Sequence, residues 1–236
     1  NTAVGYESLD ANTTGADNTA VGRSALGANT TANNNTAVGY NALTAATSTG
    51  DRNTAVGSEA LEAASTAQKN TALGYQSLHA ATTGGDNTAL GAYALLVNTT
   101  GGSNVSIGQG SLESNTTASF NVAIGVGALQ DNTTGAGNIA IGYLALNDNT
   151  TNSGIVAIGE NCLKTADANT NSVAIGKDAM ELTTTGSGVA IGAYALHNNT
   201  TGLRNIAIGY GALDTNSTGA GNIAIGYLAL NDNTTN

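Results

Sequence analysis

The sequence predicts an all-β parallel β-solenoid of about 14 turns, each turn one 17-residue repeat. Three observations predict it. Glycine recurs at a fixed spacing through all 236 residues, aliphatic residues hold fixed positions relative to it, and the two changes of spacing fall in the same part of the repeat. A constant period this short leaves no room for a helix pair and points to a solenoid whose unit is one turn of chain.

The glycines that set the period are Gly5, Gly22, Gly39, Gly57, Gly74, Gly91, Gly108, Gly125, Gly142, Gly159, Gly176, Gly192, Gly209 and Gly226. Their steps are 17 residues, with one of 18 and one of 16, so fourteen repeats account for residues 1–236 as a single repetitive segment. Residues 137–152 reappear letter for letter at 221–236, five repeats later. The chain opens in phase with the repeat, has no initiator Met and closes inside a repeat, the pattern expected of an excerpt from a longer fibrous protein.

The first repeat, NTAVGYESLDANTTGAD, defines positions 1 to 17. Position 1 is Asn in eleven repeats, position 3 is Ala in thirteen, and position 4 is always Val, Leu or Ile. Position 8 is Ala or Ser except at Cys162, and position 9 is Leu except at Met180. Positions 2–4 predict a short strand, because Thr, Val and Ile favour extended backbone and the glycine that follows permits a sharp turn at positive φ. Positions 7–9 predict a second short strand, and the Asn-, Thr- and Gly-rich remainder a polar return loop. The extra residue lies between Leu43 and Asn53 and the missing one between Met180 and Gly188, both within that loop, where length changes are tolerated. Strands stacked at ~4.8 Å would make fourteen turns roughly 65 Å long. A glycine in every repeat and the Asn-Thr-Thr runs argue against helix.

Neighbouring residues of a strand face opposite ways, so positions 2 and 4 share one face and position 3 takes the other. Ala3- and Leu9-type residues are expected inside the coil. Position 2 is Thr in the first six repeats (Thr2, Thr19, Thr36, Thr54, Thr71, Thr88) and Val or Ile from Val105 onward. From there both strand faces are apolar or small, and the outward one needs a partner. The expected chain–chain seam is Val105, Ile107, Val122, Ile124, Ile139, Ile141, Val156, Ile158, Val173, Ile175, Val189, Ile191, Ile206, Ile208, Ile223 and Ile225. Position 1 asparagines are expected to bond turn to turn, with gaps at Ile155, Ser172 and Gly188.

Composition excludes several classes. With 16 acidic against 6 basic residues the formal charge is −10, which repels a nucleic-acid backbone. No apolar run approaches the ~20 residues of a membrane-spanning helix. One cysteine excludes an intrachain disulfide framework, and Cys162 reads as a buried thiol at a small position. Catalysis needs converging polar groups. His79 and His197 both fall at position 10 but seven turns apart, and read as solvated loop residues, so no enzyme, metal site or cofactor is expected. Asp17, Asp51 and Asp86 precede a repeat's Asn but do not recur often enough for a calcium-binding array. Tyr6, Tyr40, Tyr75, Tyr143, Tyr210 and Tyr227 share position 6 and form a candidate surface stripe for a glycan or protein receptor. Thr pairs such as 13–14, 99–100, 133–134 and 234–235 offer an alternative function, ice binding by a Thr ladder, although repeats such as residues 53–69 break the series.

The run NSVAIG at residues 171–176, with NIAIG, NVAIG and NTAVG elsewhere, resembles the head repeats of trimeric autotransporter adhesins. The longer NTAVGYNAL at residues 35–43, with NTTG after many repeats, is similar to shaft repeats of phage-type tail fibres. The resemblance covers all fourteen repeats. It implies a left-handed parallel β-roll with three chains side by side, in a fibre serving attachment at a cell surface or virion. The departure is the period, which exceeds that of adhesin heads through a longer return loop.

Overall fold

The computed structural model describes residues 1–45, 49–165, 171–185 and 187–234. Among these every regular element is a β-strand, one per repeat at positions 2–4, and there is no helix. The fourteen repeats therefore make about thirteen complete turns from first strand to last.

Two compact units divide the chain, Asn1–Phe120 and Asn121–Asn236. The first holds β1 (Thr2–Val4), β2 (Thr19–Val21), β3 (Thr36–Val38), β4 (Thr54–Val56), β5 (Thr71–Leu73), β6 (Thr88–Leu90) and β7 (Val105–Ile107). The second holds β8 (Val122–Ile124), β9 (Ile139–Ile141), β10 (Val156–Ile158), β11 (Val173–Ile175), β12 (Gly188–Ile191), β13 (Asn205–Ile208) and β14 (Ile223–Ile225). Within each unit the strands stack in sequence order, parallel and in register. Thr2 lies beside Thr19 and Val4 beside Val21 in one; Val156 lies beside Val173 and Ile158 beside Ile175 in the other. The longer third repeat does not disturb this, since Thr36 still pairs with Thr54 across 18 residues. Identical side chains consequently form columns, which makes the position within the repeat, rather than the residue number, the structural variable.

Small size sets the interior. Ala20, Ala37, Ala123 and Ala140 at position 3 are fully buried, as are Leu26, Leu43, Leu129 and Leu146 at position 9. The Ala at position 8 and the carbonyl-rich loop fill the remainder. Ala3-type and Leu9-type residues thus lie inside, as their phases suggest, and positions 2 and 4 point outward.

The expected second strand at positions 7–9 does not form. Positions 7 and 9 carry positive φ: 55° at Glu7 and 52° at Leu9, 53° at Asn41 and 52° at Leu43, 51° at both Asn161 and 49° at Leu163 in the second unit. Hydrogen bonds give the reason. The position 7 amide reaches back one turn, as Ser24 N to Tyr6 O at 2.8 Å, whereas the position 9 amide reaches forward, as Leu9 N to Ala25 O at 3.1 Å. Residues two apart on a strand direct their amides the same way. The left-handed residues reverse that direction, and the segment coils through tight turns instead, such as Asn12 N to Leu9 O at 3.2 Å.

Candidate functional site

The outward face of the strands is the broadest apolar feature of the surface. At the second unit's strands Val122, Ile124, Ile141, Val156, Ile158, Val173 and Ile175 are half-buried by their neighbours in the column, while Ile139 and Ile191 are more open. At β14 Ile223 and Ile225 stand 65% and 67% exposed. In the first unit the same face alternates Thr with Val or Leu, and Val105 and Ile107 of β7 introduce its first all-aliphatic strand. All sixteen seam residues named from the sequence sit on this face. Val189, Ile206 and Ile208 complete the run between β11 and β14.

The turn glycines form a second column, and two constraints meet there. Each has φ between 130° and 141°, a region closed to other residues. A Cβ on any interior one would also strike the carbonyl of its counterpart in the next turn, at 2.6 Å from Gly142 C in the case of Gly125. Positive φ was readable from the invariance of glycine; the stacking contact was not.

Two asparagine columns hold the return loop. At position 1 the side-chain oxygen accepts the backbone amide of the same position one turn on: Asn35 N to Asn18 Oδ1 at 2.9 Å, Asn138 N to Asn121 Oδ1 at 2.9 Å. The side-chain amide crosses the interior to a position 15 carbonyl, as Asn87 Nδ2 to Gly101 O at 2.9 Å. The bonding is thus chiefly side chain to backbone rather than amide to amide. Ile155 breaks the column in one direction only, since its N–H still reaches Asn138 Oδ1 at 3.0 Å. Ser172 Oγ is buried with no partner among the described residues.

The second column, at position 12, is a buried amide ladder that the sequence reading placed in a solvated loop. Asn115 Nδ2 donates to Asn98 Oδ1 at 2.8 Å and Asn149 Nδ2 to Asn132 Oδ1 at 2.9 Å. Each also reaches the position 15 carbonyl three residues on, as Asn98 Nδ2 to Gly101 O at 2.9 Å. Gly101 O therefore receives two amide donors, one for each lone pair. Position 13 hydroxyls extend the pattern: Thr13, Thr99 and Thr133 donate to the carbonyls of Thr30, Thr116 and Thr150 at 3.0 Å. Position 14 threonines such as Thr14, Thr100 and Thr134 are exposed, and Thr235 lies outside the described residues.

The tyrosine stripe is exposed, from 44% at Tyr40 and Tyr75 to 75% at Tyr227. Arg23 lies 5.8 Å from the ring centres of both Tyr6 and Tyr40, and Tyr210 stacks on Tyr227 at 5.6 Å. Tyr143 stands 54% exposed. The two histidines are not solvated loop residues. His79 Nε2 lies 2.9 Å from Glu62 Oε2, and His197 sits between Glu181 at 3.0 Å and Asp214 at 3.4 Å. Their partners are one turn away in space but 16 or 17 residues away in sequence. Cys162 is buried, and its thiol is pushed up to about 12 by that burial.

No helix among the described residues is long and apolar enough to cross a membrane. No family model matches the chain, and neither a curated protein nor a solved structure is similar to it.

Proposed function

We propose that this chain is a stretch of an extracellular attachment fibre, at a cell surface or on a virion, in which three copies run parallel and in register. The observation that carries the reading is the two-sided apolar strand: buried Ala on the inner face, in-register Val and Ile on the outer one from Val105 onward. An exposed aliphatic column of that length is costly in water and is relieved by a like column. Register follows from the change at position 2, because only equal alignment matches Thr with Thr and Val or Ile with Val or Ile. The repeats' resemblance to adhesin heads and tail-fibre shafts supports the external location. The exposed tyrosine stripe is the surface best suited to a host glycan or protein receptor, since aromatic faces pack on sugar rings and anchor protein interfaces.

The structure of the return loop favours this reading over an ice-binding Thr ladder. Position 13 hydroxyls are committed to carbonyls of the next turn, leaving one Thr column with breaks at repeats that lack it.

The test is a cross-link. In a Cys162→Ala background, Ile141→Cys is expected to give covalent dimers on mild oxidation, because each seam residue meets its own counterpart, whereas Asp148→Cys on the return loop stays monomeric on a non-reducing gel. No dimer at position 141, or equal yields at the two positions, would overturn the proposal.

A further inference from the structure

The side chains of Glu59, Glu62 and His79 converge. One ligand atom from each lies within 4.8 Å of the other two, and all three residues are half-buried; among the described residues this is the one such group of three. The repeat explains the convergence. Glu59 and Glu62 occupy positions 7 and 10 of the fourth repeat, and His79 occupies position 10 of the fifth, directly beside Glu62 in its column. Position 7 is one of the left-handed residues, with φ 58° at Glu59, which turns its side chain toward the same outer edge.

We propose that Glu59, Glu62 and His79 bind a divalent transition-metal cation of the Zn2+ class. One imidazole nitrogen with two carboxylates is a donor set for Zn2+, Co2+ or Ni2+ rather than for Ca2+ or Mg2+, which take all-oxygen shells. Two carboxylates beside a neutral imidazole carry a charge of −2, which one such ion cancels. Neighbouring amides hold both carboxylates in place: Gln76 Nε2 donates to Glu59 Oε2 at 2.6 Å, and Asn41 Nδ2 to Glu62 Oε1 at 3.3 Å. Outer partners of this kind orient metal ligands. An ion pair between His79 and Glu62 explains those two residues but leaves Glu59 beside a like charge.

The chain carries its own comparison. Asp178, Glu181 and His197 repeat the same three positions in the second unit, yet do not converge. Asp178 is one methylene shorter and its carboxylate accepts from Asn161 Nδ2 at 3.0 Å instead. His197 turns its two ring nitrogens to two different acids, Nε2 to Glu181 and Nδ1 to Asp214, which lie on opposite sides of the ring. One ion cannot bridge them.

Calorimetric titration with ZnCl2 at pH 7.5 in a non-coordinating buffer tests the assignment, with folding of every variant verified by far-ultraviolet circular dichroism. The wild type and His197→Ala are expected to take up one equivalent per chain, and His79→Ala and the near-isosteric Glu59→Gln to bind at least tenfold more weakly. Co2+ supplies an independent readout, a visible absorption band present in the wild type and lost with His79→Ala. Uptake unchanged by His79→Ala, equal loss with His197→Ala, or no uptake by the wild type at millimolar Zn2+ would overturn it.

Discussion

Replacing Gly125 by alanine separates the fold's two demands on its turn glycines. Gly125 has φ +137°, and an added Cβ would lie 2.6 Å from the carbonyl carbon of Gly142, with the oxygen closer still. Carbon atoms in contact sit at ~3.5–4.0 Å, so the two turns must part by about 1 Å. The bonds Gly142 N to Ile124 O at 2.8 Å and Leu144 N to Val126 O at 3.1 Å span this gap and would pass out of range. Two lost backbone bonds cost ~2 kcal/mol and the backbone strain ~1–3 kcal/mol, so Gly125→Ala is expected to destabilise by about 3–5 kcal/mol. Gly137 is the control within the same unit. It too has positive φ, +69°, but nothing lies within 4 Å of its Cβ position, and other repeats place Asp, Asn, Arg or Lys there. Gly137→Ala should cost only ~1–2 kcal/mol. Urea unfolding followed by circular dichroism gives both midpoints, and hydrogen exchange at the Gly142 amide reports the turn directly. Equal midpoint shifts for the two variants would refute the stacking argument.

The asparagine columns predict a second contrast: Asn138→Ala strands the Ile155 amide and costs ~2–4 kcal/mol, whereas Asn132→Ala leaves Gly135 O bonded to Asn121 Nδ2 at 2.9 Å and costs ~1 kcal/mol, both read as urea midpoints. Ala already stands at position 12 in Ala64 and Ala81, consistent with that order. At Leu146, φ 53°, isoleucine is expected to cost at least ~1 kcal/mol more than methionine by thermal unfolding, because a branched Cβ resists the left-handed region and Met180 shows that methionine fits. Cys162 should resist a thiol reagent at pH 8 until the chain unfolds. Its folded value lies above the ordinary 9.0, at about 12, so its stabilisation is complete below pH 9 and is lost as pH rises toward 12; a Cys162→Ala variant should show a flatter stability profile over that window.

The period, the strand at positions 2–4 and the burial of Ala and Leu were legible because each depends on local composition repeated in phase. The coil at positions 7–9 was not, since Leu9 and Ser8 suit an extended segment as well as a turn. A signal was present all the same. Positions 7, 9 and 17, which hold positive φ at nearly every described repeat, never carry Val, Ile or Thr, although the chain is rich in all three. Position 4, extended throughout, takes only Val, Leu or Ile. The position 12 ladder was hidden by its chemistry: Asn in an NTTG run reads as solvated loop, and only the register shows that carbonyls and amides of adjacent turns desolvate it together. The Glu59, Glu62 and His79 group was hidden by distance along the chain. His79 read alone has no partner within ten residues, while its carboxylate lies one repeat back.

The central functional claim is that the outward Val and Ile columns join three chains. Sedimentation equilibrium of the 236-residue chain at micromolar concentration tests it most directly, beside Ile141→Asp and Asp148→Asn. The account predicts three chain masses for the wild type and Asp148→Asn, and a shift toward one chain mass for Ile141→Asp, where three carboxylates would meet without partners. A wild-type chain that is folded and sediments as a single copy would contradict it.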